Sequence, residues 1–443
     1  MKRYPAYQKT ELPWLKEVPV TWQLIRNKQF LTERKEFVGK DASKYPLLSL
    51  TKQGVILRDV SSGKGKFPKE FDSYKVVEPS NAIFCLFDMD ETPRTIGISK
   101  YRGIITGAYD VFELSNINSR FFYYYYASLD DKKDLKPLYT GLRKTIGVET
   151  FLHAKMPVPS KEEQQQIVLY LDTKTAQIDC AIRGYERLVA LLEERKTAVI
   201  NEAVTKGVRR GIVTKESGVN WLDKIPQHWE MRYAKQLFAL RRDKAREDDE
   251  QLTSSQKYGI ISQQEFMERE GRRVTVVLKG EDILKHVEAG DFVISMRSFQ
   301  GGLEYSHVSG KISSAYVMLI PNHDLVYDRY FRWLFKSESY IRALQGTSDL
   351  IRDGQALRYA NFAKVYLPCI PLNEQKEIAD YIDMEVRRID NAMIPIAKQM
   401  ELLRERRTRL ISDVVTGQVD VCDVVVPDRE AQDDGDEYDG AGA

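Results

Sequence analysis

The chain has 443 residues, 42% hydrophobic and 30% charged, with a formal net charge of +2. At roughly 150 residues per domain this is two or three domains, and the composition excludes wholesale disorder and collagen-like structure. The longest apolar runs, such as 82–87, are strand-sized, the N-terminus has no apolar signal segment, and Cys85, Cys180, Cys369 and Cys422 have no CxxC spacing; a soluble, cytoplasmic, reduced protein without a membrane partner is expected.

In chain order, the first recognisable segment is Trp14-Leu15-Lys16-Glu17-Val18-Pro19-Val20-Thr21-Trp22. A glycine- and lysine-rich loop at 61–65 and a strand at 79–86 leaving a turn follow. The acidic run 88–91 reads as a solvated loop. The aromatic run 121–126 has helical spacing and reads as a helix packed on a core. From 161 to 205 Leu171, Ile178, Tyr185, Leu192 and Val199 recur every seven residues, interleaved with Thr175, Ile182, Val189 and Lys196. These are a/d heptads, the pattern of a coiled coil, and about 40 residues make a helix of ~60 Å.

The same order then returns. Trp221-Leu222-Asp223-Lys224-Ile225-Pro226-Gln227-His228-Trp229 repeats the opening at an offset of 207. Segment 289–296 repeats the strand 79–86, and Asp328-Arg329-Tyr330-Phe331 repeats Ser119-Arg120-Phe121-Phe122. Glu374-Gln375 repeats Glu163-Gln164 at an offset of 211, and Ile382, Ile389, Ile396, Leu403 and Leu410 repeat the heptads, with Val386, Met393, Met400 and Arg407 between them. A unit of about 210 residues is a duplicated pair of domains, not a solenoid. Its two helices are expected to pair antiparallel through Leu171, Ile178, Ile182, Tyr185 and Leu192 on one and Ile382, Ile389, Met393, Ile396 and Leu403 on the other. A crosslink near Ile182 and Met393, equivalent positions, is the expected test. Gly184 and Pro395 are also equivalent and are expected to bend both helices, and Lys196 and Arg407 sit on the apolar seam as snorkelling residues or ends of tight packing. The chain ends in an acidic tail: residues 428–443 carry −6, leaving +8 on the rest, and the tail is expected to be disordered.

The sequence has no GxxxxGK[ST] loop, no Rossmann-type GxGxxG, no HExxH and no zinc-deaminase pattern, and its five histidines lie apart, so no catalytic residue and no metal ligand is assigned. What it does offer is cationic residues interleaved with aromatics and glycines on a basic body. The candidates for DNA contact are Lys64, Lys66, Lys100, Tyr101, Arg102, Arg143 and Lys144 in the first half. In the second they are Arg272, Arg273, Arg297, Ser298, Gln300, Tyr305, Arg352 and Arg358. Lys and Arg on loops neutralise phosphates, and Arg and Gln pair with guanine and adenine edges. The 297–302 segment is the leading candidate for base reading, because it follows a strand and ends in glycines that let backbone approach closely. Its counterpart 87–90 is acidic, so the two halves are expected to read bases differently.

The ordered, duplicated set of a Trp-Leu-x-x-[Val/Ile]-Pro-x-x-Trp opening, a variable part, Met156-Pro157-Val158-Pro159 with Glu163-Gln164 (and Leu367-Pro368-Cys369-Ile370-Pro371 with Glu374-Gln375), and a heptad helix resembles the specificity (S) subunit of type I restriction–modification enzymes. The resemblance runs from about 11 to 420. It implies an α+β chain of two similar target-recognition domains separated by two long antiparallel coiled-coil helices, a pseudo-twofold internal repeat. The segments would be 1–157 and 211–371 for recognition, 158–210 and 372–418 for the spacer helices and 419–443 for the acidic tail. It further implies that each domain reads half of a gapped double-stranded DNA site, that the helices set the spacing and dock two methyltransferase (M) subunits, and that restriction (R) subunits join. S-adenosylmethionine, ATP and Mg would then belong to the partners, with no cofactor on this non-catalytic chain. Two other readings stay open at this point: a non-catalytic coiled-coil scaffold with duplicated protein-binding domains, and a self-contained nuclease or methyltransferase.

Overall fold

A computed structural model describes residues 2–58, 71–271, 283–295, 298–347 and 359–426. They form two compact units, each taking part of both long helices. The first takes the described residues of 1–185 and 398–443, the second those of 186–397.

The core of the first unit is an antiparallel sheet of β1 (Leu31–Glu33), β2 (Ala82–Phe84), β3 (Ile96–Ile98) and β4 (Asp110–Leu114), in the order β1-β4-β2-β3. Against it packs α1 (Ser119–Lys132). The helix starts where the Asn118 side chain accepts from the backbone N–H groups of Arg120 and Phe121, and stops where Lys133 turns left-handed. Phe121, Phe122, Tyr125 and Tyr126 are all buried, so the aromatic run is a core helix, as its spacing indicates. Phe84 lies edge-on to Phe112, Phe122 and Tyr126, the arrangement ring quadrupoles favour. The acidic run differs from its solvated reading: Met89 is buried, and the loop folds back on itself through Thr92 N–H to the Asp88 carbonyl.

The second unit builds the same sheet from β5 (Phe238–Leu240), β6 (Phe292–Ile294), β7 (Glu304–Tyr305) and β8 (Val317–Pro321), in the matching order β5-β8-β6-β7. Here α3 (Asp328–Lys336) occupies the place of α1, and Phe238 gathers Phe292, Phe331, Phe335 and Phe362 around it. The smaller sheets are duplicated as well: Gln23–Arg26 pairs with Lys155–Val158 as Glu230–Tyr233 pairs with Tyr366–Cys369. The hairpin Leu48–Thr51/Gly54–Leu57 has its double in Leu252–Ser255/Gly259–Ser262.

The heptad segments are the helices α2 (Lys161–Lys206) and α4 (Leu372–Val415). In the first unit Leu171, Thr175, Ile178 and Ile182 are buried with Leu410, Ile411, Val414 and Val415 of α4. In the second, Ala203 and Val204 are buried with Ile378, Ile382 and Val386. The remaining predicted seam residues Tyr185, Leu192, Met393, Ile396 and Leu403 are half-buried, and Ile389 is buried. Direction and register follow from ion pairs. In the first unit Arg407 Nε lies 2.8 Å from Asp179, while Gln166 reaches the carbonyls of Val421 and Val424 beyond α4. In the second, Lys196 Nζ lies 2.7 Å from Asp390 and Arg209 pairs with Glu377. Within each unit the helix segments are therefore antiparallel. Lys196 and Arg407 are neither snorkelling nor terminal; each answers an aspartate on the opposite helix. That register corrects the crosslink pair: counting from Asp179–Arg407 puts Ile182 level with Arg404, and counting from Lys196–Asp390 puts Met393 level with Glu193. Antiparallel pairing does not bring equivalent positions face to face in general.

Each helix ends against a tryptophan. Gly207 follows α2 with φ +77°, and a Cβ there would lie 3.3 Å from the Trp229 ring; Gly417 follows α4 with φ +73°, and a Cβ there would lie 2.4 Å from Pro19 Cδ and 3.5 Å from Trp22. Only glycine combines that backbone with that approach. Residues 419–426, grouped with the tail by sequence, pack into the first unit. Val421 is buried, Asp420 N–H donates to the Lys2 carbonyl, and Lys2 pairs with Asp423 at 2.9 Å. The charged run 428–443 lies outside the described residues.

Candidate nucleic-acid interface

The Glu-Gln pair of the sequence repeat anchors each globular part to its helix. Glu163 accepts from Trp22 Nε1 at 2.9 Å and from Tyr4 Oη at 2.6 Å. Glu374, itself buried, accepts from Trp229 Nε1 at 3.1 Å and meets His228 Nε2 at 2.7 Å. The Gln164 side-chain oxygen accepts from Asn118 N–H and its amide donates to the Pro159 carbonyl; Gln375 accepts from Tyr327 N–H and donates to Leu325 and Ile370. Two turns on, Asp172 holds Arg120 and Tyr124, and Asp383 holds Arg329 and Trp333. Sequence reasoning used the Glu-Gln pair only as a marker; its recurrence next to the Trp repeat was the signal for this lock.

On that frame the described candidates of the first unit fall on loops, while in the second Ser298 and Gln300 lie in the short helix Ser298–Gly301 and Tyr305 lies in β7. In the first unit Lys100, Tyr101 and Arg102 form the turn between β3 and the strand Gly103–Ile105. Lys100 is exposed, and Ser99 Oγ closes the turn on Tyr101. Arg102 already pairs with Glu78 at 3.0 Å and covers the Tyr45 ring. A second loop, 139–147, carries Arg143 and Lys144, both exposed. Its ends pair as Thr140 with Thr145. Lys144 is tied to Asp90 at 2.8 Å, which raises the lysine's pKa and lowers the aspartate's. Lys64 and Lys66 lie outside the described residues.

In the second unit Arg272, Arg273, Arg297, Arg352 and Arg358 lie outside the described residues. The described part of the 297–302 segment has another job. Ser298 is fully buried and its hydroxyl accepts from Ser295 N–H at 2.9 Å. Gly302 has φ +74°, and a Cβ there would lie 1.9 Å from the Phe335 carbonyl of α3; the glycine answers a helix, not a ligand. Gln300 remains exposed. Tyr305 donates to Asp328 at 2.8 Å, and burial together with that carboxylate pushes its pKa up to about 12. It forms one wall of a cleft of about 320 Å³ with Lys257, Tyr258, His307, Arg332 and Trp333. Arg332 lies over the Tyr305 ring at 5.1 Å, and burial followed by the Arg332 charge lowers the His307 pKa. Sequence reasoning singled out Tyr305 but not the cleft, since its walls come from four separated segments, 256–259, 303–307, 329–336 and Asp383.

Both units thus present cations and aromatics at the surface of a shared frame, on loops in the first and on loops, β7 and α3 in the second, which suits contact with phosphates and base edges. Among the described residues no three His, Cys, Asp or Glu side chains are grouped to hold a metal ion, and no helix is long and apolar enough to cross a membrane.

Comparison with known proteins agrees with the duplication. The sequence family described as "Type I restriction modification DNA specificity domain" matches residues 20–182 and again 226–394. No curated protein matches the chain. Among solved structures, a chain from a study of complex assembly and conformational transition of the type I R-M system superposes with TM-score 0.64 at 13% identity, covering 91% of this chain and 99% of that one. An HsdS subunit from Thermoanaerobacter tengcongensis gives 0.48 at 14% identity, covering 91% and 98%, and an S subunit from M. genitalium gives 0.33 at 10%, covering 89% and 96%. With the domain matched twice over most of its length, and each match falling on one copy of the same sheet-and-helix frame, this chain belongs to the family of type I restriction–modification DNA specificity subunits.

Proposed function

We propose that this chain is the non-catalytic recognition subunit of a type I complex, working in the cytoplasm on double-stranded DNA. Each domain reads one half of a gapped site, and the paired helices set the gap. The observation that carries this reading is that the two units share one frame, strand for strand, yet carry different contact surfaces: Lys100 to Arg102 and residues 139–147 in one, Gln300 and the Tyr305–Arg332 cleft in the other. A common frame with divergent loops is what two unlike half-sites require.

The helices also supply surface for partners. Leu188 (41% exposed), Leu191 (54%), Met384 (57%) and Ile394 (66%) stand out to solvent in the second unit, and Leu169 and Leu402 in the first. Exposed apolar residues on helices already paired by another face suit the docking of two M subunits. S-adenosylmethionine would be bound by those subunits, and ATP and Mg used by R subunits that join them.

The test is methylome sequencing of cells expressing the chain with its methyltransferase subunit. New methyladenine in a gapped two-part motif, lost when this chain is omitted, is the expected result. A stable complex that adds no methylation would overturn it. Binding of the complex to its duplex should weaken steeply with salt, because phosphate contacts release counterions; a protein-binding scaffold would show no such slope.

A further inference from the structure

The 139–147 loop of the first unit is built more firmly than a surface loop needs to be. Thr140 and Thr145 exchange backbone hydrogen bonds of 2.8 and 3.1 Å, and Thr140 Oγ1 adds a third to the Thr145 carbonyl. Gly141 and Lys144 take left-handed backbone at φ +68° and +46°, which folds residues 141–144 into a tight tip. From beneath, the Arg143 carbonyl accepts from Asp88 N–H at 2.9 Å, Ile146 N–H donates to Leu86, and the Ile146 side chain is buried. Lys144 is held by Asp90. The left-handed non-glycine residues Asp88 and Lys144 cost strain that the surroundings must offset.

This construction displays two side chains. Leu142 is 104% exposed, the most exposed large apolar residue among those described. Arg143 beside it is exposed, and among the described residues its guanidinium has no hydrogen-bond or ion-pair partner. An exposed leucine that is merely tolerated would not need a braced tip. The apolar patch is one residue wide, too small for a protein interface, and it is flanked by positive charge. A single methyl-bearing side chain next to a free arginine matches the edge of a DNA duplex, where a thymine 5-methyl is the apolar feature and guanine offers paired acceptors to arginine.

The geometry points to residues 141–144 as a base-reading knuckle of the first domain: Leu142 packs on the 5-methyl of a thymine in the major groove, and Arg143 hydrogen-bonds the neighbouring base edge. Lys144 is a positioning residue that holds the tip on Asp90. This rests on the proposed role in DNA specificity and names the residues that carry it in one half-site.

The experiment uses the whole chain in complex with its methyltransferase subunit, and duplexes carrying the motif the parent complex methylates. Thymidine is replaced singly by deoxyuridine across the first half-site. The parent should lose about fourfold in affinity at one position, the worth of one buried methyl, and Leu142→Ala should lose nothing further there. Arg143→Ala should relax the base preference at an adjacent position by fivefold or more, with the second half-site unchanged as the internal control for folding. No deoxyuridine effect, an effect that persists unchanged in Leu142→Ala, or a first half-site made only of G·C pairs overturns the thymine contact. Uniform weakening by Arg143→Ala with a shallower salt slope makes that residue a phosphate contact and overturns its base reading. If the parent complex methylates no specific motif, the specificity role fails and the knuckle with it; if the parent does and both variants keep its pattern, only the knuckle fails.

Discussion

Glu374 is the acceptor on which Trp229 and His228 converge. Its loss leaves a buried indole N–H unpaired, so Glu374→Ala should lower the stability of that unit by about 1–3 kcal/mol; thermal unfolding of the variant checks this. A second residue-scale prediction concerns His286, fully buried between Asp249 at 2.8 Å and Glu288 at 2.9 Å. Burial disfavours its charge, but the bonds to Glu288 and Asp249 outweigh it and raise its pKa. The His286 bond, with Ser309, brings Glu288 down to about 2, and Asp249 is lowered too, its bonds outweighing its burial. The raised histidine contributes stability that is complete below its unfolded value near 6.5 and is lost as pH rises through its folded value. The depressed carboxylates contribute stability present above about 4.5 and lost as pH falls through their folded values. Intrinsic-rate-corrected amide exchange at Lys285–Val287 should therefore be slowest between pH 4.5 and 6.5 and should quicken toward pH 8. In His286→Gln that quickening should vanish; an equal slope in the variant would sink the argument.

At the scale of elements, both long helices carry a weak residue where one unit gives way to the other. The boundaries fall just past Gly184 in α2 and Pro395 in α4. A Cβ at Gly184 would meet nothing within 4 Å. Gly184→Ala should therefore gain about 0.5–1 kcal/mol of helix stability, read as a higher melting temperature; a loss would mean that the glycine serves an approach the open space does not reveal. The heptads, the core helix at 121–126 and the duplicated strands were legible because their signal is local and periodic. The hairpin Leu48–Leu57 and its double were not, since their sequences diverged while their backbone pairing stayed. The Lys196–Asp390 and Arg407–Asp179 pairs were half legible: the cations stood out on an apolar seam, but their partners depend on which way the other helix runs.

At the scale of the molecule, a helix spacer makes a quantitative prediction. Adding one heptad to both α2 and α4 keeps each apolar seam within about 20° of its face and lengthens the pair by about 10 Å. The unread gap of the methylated motif should then grow by about three base pairs, at 3.4 Å each, with both half-sites unchanged. An unchanged gap after such an insertion would refute the ruler.

What the sequence determined by itself is the duplication, the heptad helices, the family and the absence of catalytic motifs, because each is written in residues close together or repeated at a constant offset. What only the tertiary structure decided depends on partners more than a hundred residues apart. The Glu-Gln lock joins Trp22 to Glu163 and Trp229 to Glu374. The antiparallel register aligns Asp179 with Arg407. At shorter range too, it was packing that buried the candidate Ser298, set Gly302 against α3 and left Arg143, with its neighbour Leu142, exposed on a braced tip. A residue's type states what it can bind; whether it is free to do so is settled by what the rest of the chain has already placed against it.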